Sequence, residues 1–236
     1  MLFTEKNIIH LIETSSTMDD VKKYPLNTVV YADMQNKARG KSDRVWKCKD
    51  GNLYFSFSID SSKPNLNYFN LSFLSAYCML EAIKFFDKKN NLIQVKWPND
   101  ILVNKKKCVG ILLENDFKTK MLVIGIGVNI NYFPQLNTIF EATSLENEGI
   151  IANKKELLLK FLEIFGYYYM DWLENGFEKI HKKWLENAYN YKDEIKVKIT
   201  EDKYIFGVFD DFDDDGTLSL KLNDKHIKIT SGEIYK

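Results

Sequence analysis

The chain has 236 residues, of which 45% are apolar and 14% aromatic, and its formal net charge at pH 7 is zero. This composition supports a large hydrophobic core and excludes a disordered chain. Broad nucleic-acid binding needs a dense basic face, which a chain of zero net charge does not indicate. We therefore expect no DNA partner.

The cysteines and the apolar runs indicate the compartment. Cys48, Cys78 and Cys108 are an odd set without short spacings, which is a poor disulfide framework and a poor zinc site. No signal peptide is visible at the start of the chain, and no apolar run approaches the ~20 residues of a membrane helix. We expect free thiols, a cytoplasmic location and no membrane partner.

The first two thirds of the chain predict a mixture of strands and helices. Strands are expected at residues 8–12, 28–32 and 53–59, followed by a helix from Leu71 to Phe85 with apolar residues at helical spacing. Further elements are predicted in chain order: short strands at 101–103, 109–113 and 122–129, a long helix at 157–172, and a third helix to about residue 189.

In the last part of the chain, the spacing of apolar residues changes from the helical period to alternation. Ile195, Val197 and Ile199 alternate with polar residues, and Asp215-Gly216 is a hairpin signal between two apolar runs. One more strand is predicted at 226–230. We therefore predict an α+β fold, with a mixed sheet and helices over residues 1–190 and a small β-barrel-like module over residues 191–236.

The segment 33–52 is a candidate binding loop. It carries six cations and Trp46, and it is far longer than the usual connection of about 4–6 residues between elements. Arginine donates in a fork to phosphate, and an indole gives a flat surface for a ring. A solvated basic loop is the alternative interpretation.

The stretch "VKWPNDILVNKKKCVGI" at residues 95–111 is a second candidate. Proline, asparagine and aspartate are ordinary turn residues, so a structural corner is an equal alternative. Asp100 can contribute to a Mg²⁺ site, since Mg²⁺ prefers a carboxylate with phosphate oxygens and water. Lys107 immediately precedes an apolar strand, where its ammonium could reach an anionic ligand.

"GIGVNI" at residues 125–130 invites comparison with a dinucleotide-binding loop. It lacks the third glycine, and no convincing helix follows it. Glycines within a strand more often allow the close approach of a backbone or a ligand.

Taken in order, these stretches resemble the biotin protein ligase family. The resemblance rests on "SSTM" (15–18), "ADMQNKARGKSDRVW" (32–46), "GNLYFS" (51–56), "KWPND" (96–100), "KKCVGILLE" (106–114), "GIGVNIN" (125–131) and "SGEI" (231–234). "KWPND" matches the family motif in full. The resemblance implies a catalytic domain like that of class II synthetases, with the small β module after it.

The resemblance also implies an activity and a set of residues. Biotin and ATP, with Mg²⁺, would form biotinyl-5'-AMP, and the biotinyl group would pass to a lysine of a biotin carboxyl carrier domain. The implied residues are, for biotin, Ser16, Thr17, Met18, Gln35, Arg39, Gly40, Lys41 and Lys107; for ATP, Arg44, Trp46, Lys96, Asn99, Asp100 and Asn129; for catalysis, Lys107, Arg39, Lys41 and Asp100; and for Mg²⁺, Asp100.

The sequence departs from the family pattern in its loop. Alanine at 38 and aspartate at 43 stand where glycine is usual, Lys41 where arginine is common and Met18 where asparagine is common. "SSTM" begins at residue 15, so the monofunctional type without an N-terminal DNA-binding domain is expected. We also expect the segment 33–52 to close over the ligands, and a monomer or a homodimer.

Two other functions remain open at this point. One is a lipoate or octanoate ligase or transferase of the same fold. The other is a biotin- or nucleotide-binding module without catalysis, for which the altered loop is the supporting feature.

Overall fold

A computed structural model describes residues 2–41, 44–62, 67–116, 118–134, 141–200 and 202–235. Asp43, at which a family glycine is replaced, lies outside these residues. After a turn of 3-10 helix at Glu5–Asn7, the strands are β1 (Ile8–Thr14), β2 (Val29–Gln35), β3 (Leu53–Asp60), β4 (Ile93–Lys96), β5 (Asp100–Val103), β6 (Lys106–Asp116), β7 (Met121–Val128), β8 (Glu194–Lys198), β9 (Tyr204–Phe212), β10 (Leu218–Leu222), β11 (Lys225–Ile229) and β12 (Glu233–Tyr235). The helices are α1 (Thr17–Val21), α2 (Tyr68–Phe86), α3 (Lys154–Asn175) and α4 (Glu178–Glu186).

The larger sheet has seven strands in the order β1-β2-β3-β7-β6-β5-β4. β1 and β2 are parallel, and the other neighbouring strands are antiparallel. Successive residues of a strand point to opposite faces. Val30 accordingly packs with Met18 of α1, whereas Val29 belongs to the aromatic core formed with α2 and α3. Helices therefore cover both faces of this sheet.

The smaller sheet has five antiparallel strands in the order β11-β10-β9-β8-β12. Phe212 of β9 stacks on Phe73 of α2, with ring centroids 4.1 Å apart, and meets Trp184 of α4 edge-on. These buried rings join the smaller sheet to the helical layer, which positions the edge of β8 and β12 beside the larger sheet.

The predicted fold class is confirmed, with a mixed sheet, helices and a separate C-terminal antiparallel sheet. α1 and β12 were not predicted, because five- and three-residue elements are too short to show a period. In the described residues, no helix has the length and apolar character needed to cross a membrane.

Candidate active site

A cavity of about 710 Å³ lies between the larger sheet and the β8–β12 edge of the smaller one. The cavity lining draws together segments that are far apart in the chain, from α1 to β12. All of the residues predicted for the site line it: Ser16, Thr17, Met18, Gln35, Arg39, Gly40, Lys41, Arg44, Trp46, Lys96, Asn99, Asp100, Lys107 and Asn129.

One end of the cavity is a buried array of hydrogen-bonding groups at the start of α1. Both the backbone N–H and the hydroxyl of Thr17 contact Gln35 Oε1, at 2.7 and 3.1 Å. The Thr17 hydroxyl also lies 2.8 Å from that of Ser56. Ser16 and Thr17 are each 2% exposed. The array offers donors and acceptors to a small polar ring.

Met18 lies beneath this array, against Gly125 of β7. A Cβ built on Gly125 would come within 2.7 Å of the Met18 sulfur. Gly125 therefore makes room for the thioether, which forms an apolar floor beside the polar array.

The Lys96–Asp100 corner connects β4 and β5, and Lys96 and Asp100 are cross-strand partners. Trp97 is buried and donates from Nε1 to the carbonyl of Gly216, in the turn between β9 and β10 of the smaller sheet, at 2.9 Å. Asn99 exchanges hydrogen bonds with the backbone of Ile111 in β6. The corner is thus both a structural anchor and a cavity wall.

Lys107 and Asp100 meet within the cavity, with Lys107 Nζ 2.7 Å from Asp100 Oδ1. Burial lowers the pKa of the neighbouring Lys96 ammonium, and the charge of Asp100 opposes this effect. Enclosure by the protein and repulsion from Arg44 lower the pKa of Lys41.

The charges that line the cavity are unbalanced. The described part of the chain contributes seven cations to its wall but only two carboxylates, those of Asp100 and Glu233. Arg39, one of the seven, is paired with carboxylates outside the lining, so six cations face the two carboxylates. A concave surface with this excess of one sign concentrates anions. The cavity is therefore suited to a ligand that carries several negative charges.

Trp46 lies on a shelf made by two glycines. Gly110 of β6 and Gly127 of β7 are cross-strand partners, and a Cβ on either would approach the indole to 2.6 or 2.8 Å. The glycines of "GIGVNI" thus allow close approach by Met18 and Trp46, as expected for glycines within a strand. Trp46 Nε1 is buried without a hydrogen-bond partner among the described residues.

Asn129 directly follows β7 and lines the same cavity. It is 2% exposed, and its Nδ2 donates to the carbonyl of Thr143 at 3.0 Å. Its Oδ1 is buried and has no partner in the part of the chain that the structure describes. A buried acceptor without a partner costs free energy, so a ligand donor at this position would be stabilising.

Sequence reasoning missed the contribution of the smaller sheet. Lys198, Thr200 and Glu233 line the cavity, and Arg44 Nη1 lies 3.3 Å from Glu233 Oε1. "SGEI" carried a family resemblance, but nothing in its composition indicated that it returns to the ligand loop.

Two models of known protein families match the chain. The pattern described as "Biotin/lipoate A/B protein ligase family" matches residues 11–131, and that described as "Biotin protein ligase C terminal domain" matches residues 194–236. The chain belongs to the biotin/lipoate A/B protein ligase family, as its sequence motifs predicted.

Named relatives and solved structures agree with this membership. The bifunctional ligase/repressor BirA of Bacillus subtilis is 31% identical over 220 residues, which cover 89% of this chain and 66% of that protein. A biotin–acetyl-CoA-carboxylase ligase of Paracoccus denitrificans is 28% identical, with 87% and 89% covered. A biotin protein ligase from Aquifex aeolicus, solved with biotin and ATP, superposes with a TM-score of 0.83 at 28% identity over 97% of each chain.

Proposed function

We propose that the protein is an ATP-dependent biotin protein ligase. It would form biotinyl-5'-AMP from biotin and ATP, and then transfer the biotinyl group to a lysine of a carrier protein. The observation that carries the proposal is the ion pair of Lys107 and Asp100, which lies in one cavity with the Thr17–Gln35 array and the unpaired Asn129 oxygen.

The polar array suits the ureido ring of biotin. A ureido group presents one carbonyl acceptor and two N–H donors. The hydroxyls of Ser16 and Thr17 and the amide of Gln35 supply matching groups. Met18 and Gly40 would line the adjoining apolar part of the ring system.

A second set of lining residues suits a nucleotide. The exocyclic amine of adenine is a donor that fits the unpaired Asn129 Oδ1, and the Trp46 indole offers a face for the purine. Lys96, Asn99 and Arg44 line the same cavity and would face the phosphates.

The first step joins two anions. A biotin carboxylate oxygen attacks the α-phosphorus of ATP, the bond to the bridging oxygen breaks, and pyrophosphate leaves. Lys107 would hold the carboxylate, and Lys41 would lie beside the phosphate that gains charge. Fixed cations offset the repulsion between the reactants and stabilise the charge that develops in the transition state.

Asp100 is the proposed residue for Mg²⁺. In the described residues, no cluster of three or more metal-ligating side chains occurs. A single carboxylate is nevertheless sufficient for Mg²⁺ that arrives with ATP, since phosphates and water fill its other positions. When bound, the ion would neutralise phosphate charge.

The second step needs no nucleophile from this chain. The neutral ε-amine of the carrier lysine attacks the acyl carbon of the mixed anhydride, AMP leaves, and the amine loses a proton. The chain's part is to hold the anhydride and exclude water. We propose a biotin carboxyl carrier domain as the partner and a cytoplasmic location, which fits the free thiols of Cys48, Cys78 and Cys108.

The test is a comparison of acids in one assay. Pyrophosphate release is measured with Mg-ATP and biotin, lipoate or octanoate, followed by mass spectrometry for the acyl-adenylate. Biotin-dependent release supports the proposal. Release only with lipoate or octanoate favours the related ligases, and tight biotin binding without release favours a binding module. The expectation of no DNA binding is tested separately, by a gel shift.

A further inference from the structure

The Arg39 guanidinium has all five of its N–H donors occupied by the protein. Nε and Nη2 donate to the two oxygens of Glu114, at 2.6 and 2.9 Å. Nη1 and Nη2 donate to the two oxygens of Asp19, at 2.9 and 2.8 Å. The remaining Nη1 donor reaches the Ser16 hydroxyl at 3.4 Å.

This saturation bears on what Arg39 can do for a ligand. Arginine has five donors and no acceptor, so the side chain has none left for a carboxylate or a phosphate. Two carboxylates already balance its charge, and an anionic ligand would have to displace one of them. The distances to both carboxylates are those of charge-assisted hydrogen bonds.

The three partners join separate parts of the site. Asp19 lies in α1, whose first residues form the polar array, and Glu114 lies in β6, seven residues after Lys107. Lys22 Nζ also lies 2.8 Å from Glu114. We call Asp19, Lys22, Arg39 and Glu114 the Arg39 clamp.

The clamp also determines the path of the ligand loop. Arg39 forms an antiparallel bridge with Val45, and the backbone N–H of Trp46 donates to the carbonyl of Ala38 at 3.0 Å. An Arg39 that is held by α1 and β6 therefore holds Trp46 on its glycine shelf. Hydrogen bonds from Arg39 lower the pKa of both Asp19 and Glu114, so both partners stay ionised.

We propose that Arg39 is a positioning residue, clamped by Asp19 and Glu114, which holds the ligand loop over the biotin end of the cavity and contacts no anionic group of the ligand. This inference rests on the proposed function for its ligand, but the clamp itself is a property of the protein alone. It makes Asp19 and Glu114 determinants of how long the adenylate stays bound.

The test compares Asp19→Asn, Glu114→Gln and Arg39→Lys with the unaltered protein. Each variant keeps a similar side-chain size but cannot complete the clamp. We expect each variant to release biotinyl-5'-AMP about three- to tenfold faster. The effect should be modest because the ion pairs of the clamp are partly exposed, and exposed ion pairs contribute less than buried charge-assisted hydrogen bonds. The paired variant of Asp19 and Glu114 should be less than additive, because both changes release the same guanidinium.

An Arg39 that binds the ligand's anion gives the opposite pattern. Asp19→Asn and Glu114→Gln would then free its donors and slow adenylate release or leave it unchanged, and Arg39→Lys, which keeps the charge, would be mild. That result would overturn the clamp. Asp171→Asn is the matched control, because it removes a 2.9 Å ion pair with Lys179 at a distance from the cavity.

A second measurement needs no ligand. In the clamp variants, hydrogen exchange should accelerate at the amides of Gly40 and Trp46 but not in α3, while the melting temperature stays close to that of Asp171→Asn. Unchanged exchange would contradict the clamp even if the protein made no adenylate, so its failure is distinct from failure of the proposed ligase activity.

Discussion

Lys107 Nζ lies 2.7 Å from Asp100 Oδ1, so the cation proposed for the biotin carboxylate is already paired with the carboxylate proposed for Mg²⁺. The proposed function therefore predicts an exchange of partners on ligand binding. A biotin carboxylate would take the place of Asp100 beside Lys107, and Asp100 would become available to a cation that accompanies ATP.

Replacing Lys107 by alanine should weaken biotin binding about tenfold or more, since a charge-assisted hydrogen bond contributes about 1.5–3 kcal/mol. Calorimetric titration measures the change. Lys105→Asn is the matched control, because Lys105 is exposed in the adjacent turn and has a φ of 66°, which asparagine tolerates. Equal affinities in the Lys107 variant and the unaltered protein would reject the assigned role.

Replacing Asp100 by asparagine should separate binding from chemistry. Lys107 loses its competing partner, so the dissociation constant for biotin alone should fall or stay unchanged. Adenylate formation should slow about tenfold or more, because a carboxylate is lost from the site proposed for Mg²⁺. Titration and pyrophosphate release measure the two effects. Weaker biotin binding with normal turnover would contradict this assignment.

Gly127→Ala should weaken nucleotide binding and leave biotin binding unchanged. The new Cβ would lie 2.8 Å from the indole of Trp46, and overpacking of this kind costs about 1–3 kcal/mol. We expect the KM for ATP to rise about fivefold or more at an unchanged biotin affinity. Gly166→Ala in α3 is the control, because its Cβ would approach only Leu2, at 3.9 Å.

Activity should fall on the alkaline side at a pH below 10.5, the ordinary pKa of lysine, since the pKa values of Lys96 and Lys41 are both lowered. Each ammonium is lost as pH rises through its lowered pKa, and phosphate binding weakens with it. The stability of the folded state changes in the opposite direction to activity as the pH rises. The folded state releases the Lys96 proton before the unfolded state does, so stability rises with pH in that window.

The rate of pyrophosphate release as a function of pH checks this, together with a melting curve at each pH. The variant Lys41→Arg shows which lysine causes the alkaline loss of activity, since arginine keeps its proton. If the loss of activity shifts to higher pH in this variant, it is caused by Lys41. If the loss does not shift, it is caused by Lys96. A rate that stays constant up to pH 10.5 would contradict both assignments.

Closure of the loop at Lys41 and Arg44, which lie outside the Arg39 clamp, predicts a particular pattern of hydrogen exchange. Asn36 and Lys37 donate from their backbones to the carbonyls of Thr14 and Ser15, so their amides should be protected without ligand. The amides of Lys41 and Arg44 should slow only with biotin and a non-hydrolysable ATP analogue. Equal protection in both conditions would mean that the loop is preformed.

Local sequence patterns were sufficient to predict the elements with a long period and the motifs with unusual residue types. The helical spacing from Leu157 to Trp172 lies within α3, and the Asp215-Gly216 signal joins β9 to β10. Such patterns are legible because their period or turn chemistry is local. The ordered motifs identified the family for the same reason, since each is a short run of residues.

The partners of the charged side chains, in contrast, follow from the folded arrangement of the chain. Arg39 is paired with Asp19 and Glu114, 20 and 75 residues away, and Arg44 with Glu233, 189 residues away. The interaction of two charges depends on their separation and surroundings in space, and no local pattern encodes either. From sequence, Arg39 was one more cation for the ligand; in the fold it is a saturated guanidinium, because two elements bring carboxylates to it.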